Sequence, residues 1–318
     1  MGRRVLVTGG AGFIGSHVAE RHVAAGDDVW IVDDLSSGRE ANVPAGARFV
    51  QLDIRSPDLA GVFRDAGGFD VVSNHAAQID VRVSVADPRR DAAVNIDGLL
   101  NLLEACMEYG CRRFVYVSSG GVVYGEPTVR PTPETSPKLP LSPYGVSKLA
   151  GEQYLHYYAN VRGLDYAALR YSNVYGPRQD PHGEAGVVAI FSTRISEGSA
   201  LSIFGDGRQT RDYVYVGDVA AANVLAATAE LPPPVDLEAR AWNVGTGVET
   251  SVNDLARKLM AAAGRQVPVE MEAARPGELR HSCLDASRLA RLGWSPAVTL
   301  EQGLGLTYRH ITGQEAVA

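Results

Sequence analysis

The segment that decides the fold is Val5-Leu-Val-Thr-Gly-Gly-Ala-Gly-Phe-Ile-Gly-Ser-His-Val18, close to the amino terminus. Its first four residues form an apolar run typical of a buried strand, and its last residues open a helical pattern. Gly9 permits a tight turn, Gly12 lets the backbone approach an anion, and Gly15 lets the helix pack on the strand. A glycine-rich turn between a strand and a helix predicts a dinucleotide site, with the first helix amides facing the pyrophosphate.

Asp33 ends the next predicted strand, 18 residues after Gly15. A carboxylate at this position accepts hydrogen bonds from both adenosine ribose hydroxyls and repels a 2′-phosphate. The sequence therefore predicts NAD as the cofactor, although Arg39 nearby keeps NADP open and a loop cap is the alternative role of Asp33. Asp53 and Ile54 close the third strand, where a contact to adenine is expected.

The first half of the chain alternates short apolar runs with helical patterns. This alternation is typical of a parallel sheet with helices on both faces. The predicted fold class is α/β, a doubly wound Rossmann sheet with a smaller, mixed carboxyl-terminal lobe that binds the substrate. The predicted strands are Val5–Thr8, Val29–Asp33, Arg48–Asp53, Phe69–Asn74 and Arg113–Ser118, and the longest helix spans 89–109.

The pattern changes after about residue 172, where Gly and Pro interrupt the chain from Asn173 onward. Trp242-Asn-Val-Gly245 resembles the earlier strands, so we expect it to return to the sheet. We therefore predict an NAD-binding unit formed by 1–172, with 212–245 returning to it, and a substrate unit formed by 173–211 and 246–318.

The composition excludes several kinds of partner. The 318 residues carry a formal net charge of −7, which argues against nucleic acid and against an anionic membrane as partners. The three cysteines have neither metal-ligand spacing nor an even disulfide framework, so we predict no metal site and expect reduced thiols. The amino terminus enters a strand almost at once, and no apolar run is long enough to cross a bilayer. A cytoplasmic location is therefore expected.

Tyr144 and Lys148 form the pattern with the most chemical content. They are four residues apart at a predicted helix start, so both side chains lie on one helical face. Only three of the 30 basic side chains are lysines, and one of these follows the tyrosine by one turn. A compact ammonium lowers the pKa of a neighbouring phenol and still hydrogen-bonds a ribose. The alternative interpretation is a pair of surface residues on an amphipathic helix.

Taken together, these motifs resemble those of the extended short-chain dehydrogenase/reductases, in particular the nucleotide-sugar epimerases that include the UDP-glucose 4-epimerases. The resemblance covers nearly the whole chain. Besides the glycine-rich turn, it depends on Asp33-Asp-Leu-Ser-Ser-Gly38, Asp53-Ile54, His75-Ala-Ala-Gln78, Asn95-Ile-Asp-Gly98, Ser118-Ser-Gly-Gly-Val-Val-Tyr-Gly125, Ser142-Pro-Tyr-Gly-Val-Ser-Lys148, Asn173-Val-Tyr-Gly-Pro177, Gly205-Asp-Gly-Arg-Gln-Thr-Arg-Asp-Tyr213 and Arg275-Pro-Gly-Glu278.

The resemblance implies an isomerase that uses bound NAD and a UDP-hexose. Tyr144 would be the base on the sugar's 4-hydroxyl, and Lys148 with the positive nicotinamide ring would lower its pKa from a free value of about 10. Hydride would pass from carbon 4 to the nicotinamide, and the resulting 4-keto sugar would rotate and accept it on its other face. Because the sugar must turn over in the site, affinity must come from the nucleotide diphosphate.

The resemblance also implies which residues contact each ligand. Arg211 and Arg275 are the expected diphosphate clamp, since a guanidinium matches phosphate bidentately. The implied cofactor contacts are Gly9, Gly12, Phe13, Ile14, Gly15, Asp33, Asp34, Ser36, Ser37, Gly38, Asp53, Ile54, Ala76, Ala77, Gln78, Asn95, Tyr144, Lys148 and Tyr171. The implied substrate contacts are Gln78, Ser119, Gly120, Tyr144, Asn173, Val187, Val188, Ser202, Phe204, Arg211, Arg275, Glu278 and Ser282.

The end of the fifth strand departs from the family pattern. Relatives end it in three hydroxyl-bearing residues, and the third, which hydrogen-bonds the sugar and the tyrosine, corresponds to Gly120 here. We expect Ser119, with Ser118 or a water, to supply this hydroxyl. Gly120 and Gly121 also lack the carboxylate that dehydratases and decarboxylases of the superfamily need, which argues against both activities.

Ser282, seven residues after Arg275, lies where relatives place the residue that gates the sugar pocket. A small residue there predicts room for an N-acetyl group or a uronic acid, for whose carboxylate Arg178 and Arg194 are available. UDP-glucose and UDP-galactose are the leading substrates, with UDP-N-acetylglucosamine and UDP-glucuronic acid as alternatives. A sugar-nucleotide oxidoreductase and a catalytically silent NAD-binding regulator also stay open.

Many relatives are homodimers that associate through a four-helix contact. The corresponding helices here fall within 89–109 and 143–161. The resemblance therefore implies a homodimer.

Overall fold

The computed structural model describes residues 2–181, 186–274 and 279–314. Within these ranges the chain forms a seven-stranded sheet, a four-stranded sheet and a two-stranded ribbon. In chain order the strands are β1 (Arg4–Thr8), β2 (Asp28–Asp33), β3 (Arg48–Gln51), β4 (Val71–Asn74), β5 (Arg113–Ser119), β6 (Tyr166–Tyr171), β7 (Asn173–Tyr175), β8 (Leu201–Phe204), β9 (Thr210–Tyr215), β10 (Ala241–Val244), β11 (Glu249–Ser251), β12 (Val269–Glu272) and β13 (His281–Ser282).

The helix predicted over 89–109 is interrupted by a π-helical segment, Ala93–Asp97. No helix in the described ranges is both long and apolar enough to cross a membrane. The helices are α1 (Phe13–Ala24), α2 (Leu59–Ala66), α3 (Val81–Ala86), α4 (Pro88–Ala92), α5 (Gly98–Tyr109), α6 (Gly120–Val123), α7 (Pro143–Arg162), α8 (Val187–Glu197), α9 (Val216–Thr228), α10 (Val252–Ala263), α11 (Ser287–Arg291) and α12 (Leu300–Ile311).

The large sheet is entirely parallel, with the strand order β10-β6-β5-β4-β1-β2-β3. Its central strands are continuous apolar runs because helices cover both faces, and Val5, Leu6 and Val7 of β1 are fully buried. The strand order reverses between β1 and β4, which is where a doubly wound sheet opens a crevice for a ligand. The predicted Rossmann fold is confirmed.

Each of the five predicted strands differs from its expected bounds at one end. β1 and β2 begin one residue earlier than expected, at Arg4 and Asp28. β3 ends at Gln51, two residues before Asp53, and β4 begins at Val71 because Gly67 and Gly68 turn the chain with positive φ just before it. β5 continues to Ser119, one residue further than expected.

The later elements divide between the two sheets. β10, which contains Trp242, forms the edge of the large sheet beside β6. Residues 212–215 belong to β9, which pairs in the four-stranded sheet, so the return to the large sheet begins one element later with α9, which packs against α1. A second hydrophobic core lies between α8, α10 and α12 and includes Ile195, Leu255 and Leu304.

Candidate active site

The glycine-rich turn joins β1 to α1 at the carboxyl edge of the large sheet. Gly9 has a φ of +65°, and a Cβ there would lie 2.6 Å from the amide nitrogen of Ala76. A Cβ on Gly15 would lie 2.2 Å from the carbonyl oxygen of Gly9, so the first turn of α1 packs directly on the glycine turn. Gly12 is the N-cap and has no side chain to occupy the first-turn amides, which begin at Phe13. This cradle fits a pyrophosphate.

Asp33 lies beside this turn at the end of β2 and is buried. Its carboxylate accepts hydrogen bonds from the amides of Ala11 at 3.0 Å and Leu35 at 2.8 Å. Burial raises the pKa of this carboxyl above its usual value, and the backbone hydrogen bonds oppose that rise. A Cβ on Gly38 would lie 2.8 Å from a carboxylate oxygen, so the loop after β2 passes close to Asp33. The carboxylate fits the adenosine ribose of a dinucleotide.

The residues expected at the adenine are held by neighbours within the protein. Asp53 forms an ion pair with Arg55, whose hydrogen bonds lower the pKa of this carboxyl. Ile54 is buried, and its side chain packs where a Cβ on Gly98 would lie. A cofactor would therefore contact the backbone of Ile54 and not its buried side chain. The exposed side chains in the loop after β2 are Asp34, Ser36, Ser37 and Arg39.

Gln78, in the loop after β4, is occupied inside the protein. Its Nε2 donates to Asp91 and to the carbonyl of Asp80, both at 3.0 Å, and its Oε1 accepts from the Asp80 amide at 2.6 Å. Asn95, in the π-helical segment, donates to the Gln78 carbonyl at 2.9 Å and accepts from the Gln78 amide at 3.0 Å. The Gln78 side chain is therefore bound within the protein, and its predicted contacts with cofactor and substrate stay predictions. Together with Asn95 it fixes the loop that carries Ala76.

Tyr144 and Lys148 lie on α7, whose N-terminus is capped by Ser142. The Lys148 Nζ is 5.7 Å from the centroid of the Tyr144 ring and 5.3 Å from that of Tyr116. Lys148 is only 4% exposed, and its Nζ donates to the carbonyl of Val117 on β5 at 3.0 Å. Burial lowers the pKa of Lys148 to about 8. The alternative of two surface residues is therefore wrong for Lys148.

The two serines at the end of β5 face opposite ways, as alternation along a strand requires. Ser118 is buried and donates to Glu152 at 2.5 Å, so it does not supply the missing hydroxyl. Ser119 is the N-cap of α6 but makes no side-chain cap bond. Ser119 stays the candidate for this hydroxyl.

The side chain of Leu284 packs closely against Gly120. A Cβ at this position would lie 2.4 Å from Cδ1 of Leu284. Leu284 follows β13, is buried, and packs with Val123 and Tyr124. The leucine therefore occupies the space into which a side chain at position 120 would project.

β8 presents two predicted substrate residues on one face. Ser202 and Phe204 alternate with Leu201 and Ile203, which are buried in the core of the smaller unit. Val188 on α8 is buried in the same core, and its predicted contact with the substrate stays a prediction. Val187, its neighbour, packs against the edge of this core.

The predicted diphosphate clamp is described in part. Arg211 lies on β9 directly across from Ser282 of β13, and its Nη1 donates to the carbonyl of Thr210 at 2.8 Å. Ser282 is buried. Arg275 and Glu278 lie outside the described residues.

The two arginines named for a sugar carboxylate are engaged elsewhere. Arg178 donates to the hydroxyl of Ser16 at 3.1 Å and pairs with Glu20, both on α1. Arg194 donates to the carbonyl of Ala200 at 2.8 Å and to the hydroxyl of Ser202 at 3.3 Å. Arg178 thus joins the segment after β7 to α1, the helix that follows the glycine-rich turn.

Two residues at the end of β6 are buried. The phenol of Tyr171 accepts a hydrogen bond from Asn223 on α9 at 2.6 Å, and the predicted contact of Tyr171 with the cofactor stays a prediction. Ser172, which the sequence reasoning missed, is also buried, and its hydroxyl has no partner within the described ranges. Its position directly after a strand and before Asn173 was the available signal. Asn173 itself is exposed at the start of β7.

A buried ion pair behind the site was also missed. Arg170 on β6 is fully buried and donates to Glu152 on α7 at 2.9 and 2.6 Å. Arg170 also donates to the phenol of Tyr124 at 2.9 Å, and Glu152 accepts from Ser118. Glu152 follows Lys148 by one helical turn, which was the available signal in the sequence.

A doubly wound parallel sheet, a glycine-rich turn and a half-buried tyrosine beside a buried lysine at one sheet edge define a dinucleotide-dependent protein of the short-chain dehydrogenase/reductase type. The sequence model of the family described as NAD dependent epimerase/dehydratase matches residues 5–245. This match spans well over half of the chain. The chain therefore belongs to the NAD dependent epimerase/dehydratase family.

Three similar proteins are each named as a UDP-glucose 4-epimerase. The UDP-glucose 4-epimerase of Mycolicibacterium smegmatis is 47% identical over 310 residues, which cover 96% of this chain and 97% of that protein. The crystal structure of the Thermotoga maritima UDP-glucose 4-epimerase with UDP-glucose matches with a TM-score of 0.92 at 45% identity, covering 98% of this chain and 99% of that one. The Thermus thermophilus UDP-glucose 4-epimerase in complex with NAD matches with a TM-score of 0.90, with the same identity and coverage.

Proposed function

We propose that this chain is an NAD-dependent UDP-hexose 4-epimerase that interconverts UDP-glucose and UDP-galactose. The observation that carries the proposal is the buried Lys148 beside Tyr144, fixed to the end of β5 at the edge where the glycine turn lies. Relatives of that name at 45–47% identity over nearly the whole chain support it.

NAD, when bound, would supply the hydride acceptor and donor for carbon 4 of the hexose, so that no second substrate would be needed. The turn that contains Gly9 and Gly12 holds the pyrophosphate through the first amides of α1. The Asp33 carboxylate binds the adenosine ribose hydroxyls and disfavours a 2′-phosphate. The chain therefore uses NAD rather than NADP.

Tyr144 accepts the proton of the sugar's 4-hydroxyl and returns it at the end of the cycle. A phenol with an ordinary pKa of about 10 is mostly protonated at neutral pH, so the base needs a cation nearby. Lys148 provides this cation in a site where little water screens the interaction between the two groups. Ser119 hydrogen-bonds the same hydroxyl from the end of β5.

The smaller unit binds the UDP group and leaves the sugar free to rotate. Arg211, together with Arg275, holds the diphosphate, while Ser202 and Phe204 face the uracil. We assign NAD binding to 1–172 with the return from α9 to β10, and UDP binding to the remainder. Tight binding of the nucleotide rather than the hexose lets both epimers occupy one site.

The engaged arginines favour a neutral hexose over a uronic acid. Arg178 pairs with Glu20, and Arg194 donates to the carbonyl of Ala200. Because both arginines have partners within the protein, we expect neither to bind a carboxylate at carbon 6 of the sugar. Ser282 opposite Arg211 is small and sets the width of the pocket next to the diphosphate.

Product analysis tests this proposal. We expect incubation with UDP-glucose to yield UDP-galactose, separated by chromatography, without accumulation of NADH absorbance. UDP-N-acetylglucosamine and UDP-glucuronic acid, assayed in parallel, are expected to give lower kcat/KM. Release of NADH in proportion to product would instead identify an oxidoreductase, and conversion of neither UDP-glucose nor UDP-galactose would contradict the assignment.

We also propose a homodimer through α5 and α7. α7 carries exposed apolar side chains along one stripe, and the most exposed of these are Val146, Tyr157 and Val161, the last at 65%. Their spacing of 11 and then four residues keeps them on one helical face. A second copy of the same stripe would bury them in a four-helix contact.

A further inference from the structure

Asp91 is a buried carboxylate that no step above uses. It lies on α4 and is fully buried. Its Oδ2 accepts a hydrogen bond from the Ser147 hydroxyl at 2.5 Å, and its Oδ1 accepts from Gln78 Nε2 and Asn95 Nδ2, each at 3.0 Å. All three donors are neutral groups. They belong to α7, to the loop after β4 and to the π-helical segment, so Asp91 joins three segments that border the crevice.

A buried carboxylate is unfavourable unless an opposite charge lies close to it. Ser147, which Asp91 binds, immediately precedes Lys148 on α7, and the Asp91 carboxylate acts electrostatically on the buried Lys148 ammonium. The Lys148 Nζ itself donates to a neutral acceptor, the Val117 carbonyl. The Asp91 carboxylate and the Lys148 ammonium are therefore each hydrogen-bonded to neutral groups, and they attract each other electrostatically.

Apart from Tyr144 itself, the other titratable groups around Lys148 do not provide a negative charge that is free to balance the ammonium. Burial lowers the pKa of His75, after β4, to about 3, so this imidazole is neutral near pH 7. Burial raises the pKa of Tyr116, on β5, well above its usual value, so this phenol stays protonated. Glu152, one turn further along α7, is paired with Arg170. Asp91 is the group that opposes the effect of burial on the Lys148 pKa.

We propose that Asp91 is a positioning residue that acts through Lys148: its carboxylate is the counter-charge of the buried ammonium, and its hydrogen bonds hold α7 against the π-helical segment. The catalytic consequence rests on the proposed function, because Lys148 serves turnover only if Tyr144 is the base. Without the carboxylate, more of the lysine is neutral at pH 7, and a neutral amine does not favour the phenolate.

The sign of the effect follows from the charges. A nearby anion favours the charged form of a lysine, so replacing the carboxylate with a neutral amide lowers the Lys148 pKa below about 8. The ammonium is then lost at a lower pH, and the alkaline limb of kcat moves in the same direction. The KM for the UDP-sugar changes little, since Asp91 lies on α4 and not on the elements assigned to UDP.

The direct test is a titration of the lysines in the NAD-bound enzyme. The sequence contains only Lys138, Lys148 and Lys258, so labelling lysine with carbon-13 at Cε gives three NMR resonances, and the spectrum of Lys148→Arg assigns the relevant one. We expect Lys148 to titrate near pH 8 in the unmodified protein and about one pH unit lower in Asp91→Asn. The other two resonances should not move. An unchanged Lys148 titration in Asp91→Asn would overturn the proposal, whether or not the protein is an epimerase.

Asp218→Asn is the matched control. Asp218 is a buried carboxylate on α9 that accepts from the Val298 amide at 3.1 Å, so its replacement removes the same charge away from the Tyr-Lys pair. We expect the Lys148 titration and the pH profile of kcat to be unchanged in this variant. A shift as large as that of Asp91→Asn would mean that overall charge, and not the position of Asp91, sets the lysine's behaviour.

Ser147→Ala provides a second variant should Asp91→Asn fail to fold. It removes one hydrogen bond but keeps the charge, so we expect a lower kcat with an alkaline limb no lower than that of the unmodified enzyme. A limb displaced to lower pH would overturn the charge-balancing role, and an unaltered kcat would overturn the positioning role. Absence of epimerase activity in the unmodified enzyme would instead reject the proposed function, while the NMR titration would still decide the role of Asp91.

Discussion

At the scale of single residues, Lys148 shows how the site differs from the rest of the fold. Its pKa falls from 10.5 in the unfolded chain to about 8, because burial disfavours the ammonium. Below pH 8 the buried ammonium therefore lowers the free energy of unfolding by about 3 kcal/mol. This destabilisation decreases as the pH rises from 8 to 10.5, because the folded protein then loses the charge before the unfolded chain does. A buried methionine would avoid this penalty, so the lysine is explained by function rather than by stability.

The two serines of β5 should respond oppositely to substitution. We expect Ser119→Ala to lower kcat about tenfold or more with little change in stability, since a lost transition-state hydrogen bond contributes about 1–3 kcal/mol. Ser118→Ala is the matched control, because it removes a donor from the buried Glu152 and should destabilise the fold by about 1–3 kcal/mol while leaving turnover nearly intact. The measurements are steady-state kinetics and denaturant unfolding. A loss below about threefold for Ser119→Ala would remove Ser119 from the mechanism.

At the scale of elements, α7 combines catalysis and stability along one face. Tyr144, Lys148 and Glu152 occupy successive turns, and the last of them pairs with Arg170 of β6. The ion pair thus anchors the helix to the sheet one turn beyond Lys148. Pro143 at the first helical position and the Ser142 cap fix where the helix begins, and therefore where Tyr144 lies.

We expect Glu152→Gln to lower the free energy of unfolding by about 3–5 kcal/mol, because it leaves a buried guanidinium without its counter-charge. Asp65→Asn breaks the exposed pair with Arg64, whose side chains are 68% and 69% exposed, and should change stability by less than about 0.5 kcal/mol. Urea unfolding followed by circular dichroism measures both. Equal effects in the two variants would show that the ion pair does not anchor α7.

The elements and the site could be predicted to different extents. β1, β2 and β5 were identified because a doubly covered parallel strand is a continuous apolar run, and the glycine turn and Tyr-Lys pair were found because their spacing is local. The interruption of the helix at Ala93–Asp97 leaves no comparable signal in the hydrophobic pattern. The hydrogen bonds of Gln78 with Asp91 and of Tyr171 with Asn223 could not be predicted, because no local pattern in the sequence links these partners.

At the scale of the whole molecule, hydrogen bonds and an ion pair join the segment after β7 to α1, the helix that follows the glycine-rich turn. The Pro177 carbonyl lies 3.0 Å from Nε2 of His17, and the adjacent Arg178 bonds to Ser16 and Glu20 on the same helix. The segment that leads to the substrate unit is therefore fixed relative to the pyrophosphate cradle. On the opposite side of the large sheet, the stripe on α7 is the surface that we assign to a second copy.

We expect the double substitution Tyr157→Glu and Val161→Glu to convert a dimer into a monomer, because it places charges in the proposed apolar contact. Val235→Glu is the control, since Val235 is 77% exposed and lies outside α7. Light scattering during gel filtration gives the mass of each. A dimeric double variant, or a monomeric unmodified protein, would contradict the proposed interface.

The most direct test of the account is the epimerisation rate of Tyr144→Phe, measured by separating UDP-galactose from UDP-glucose. Tyr158→Phe is the control, because Tyr158 lies 14 residues after Tyr144 on α7 and its phenol bonds to Glu104 on α5. The account predicts that Tyr144→Phe keeps its fold and bound NAD but loses turnover by about 10²–10⁴-fold, the usual contribution of a positioned proton acceptor, while Tyr158→Phe stays active. Turnover within a few fold of the unmodified enzyme in Tyr144→Phe would contradict the central role of this phenol.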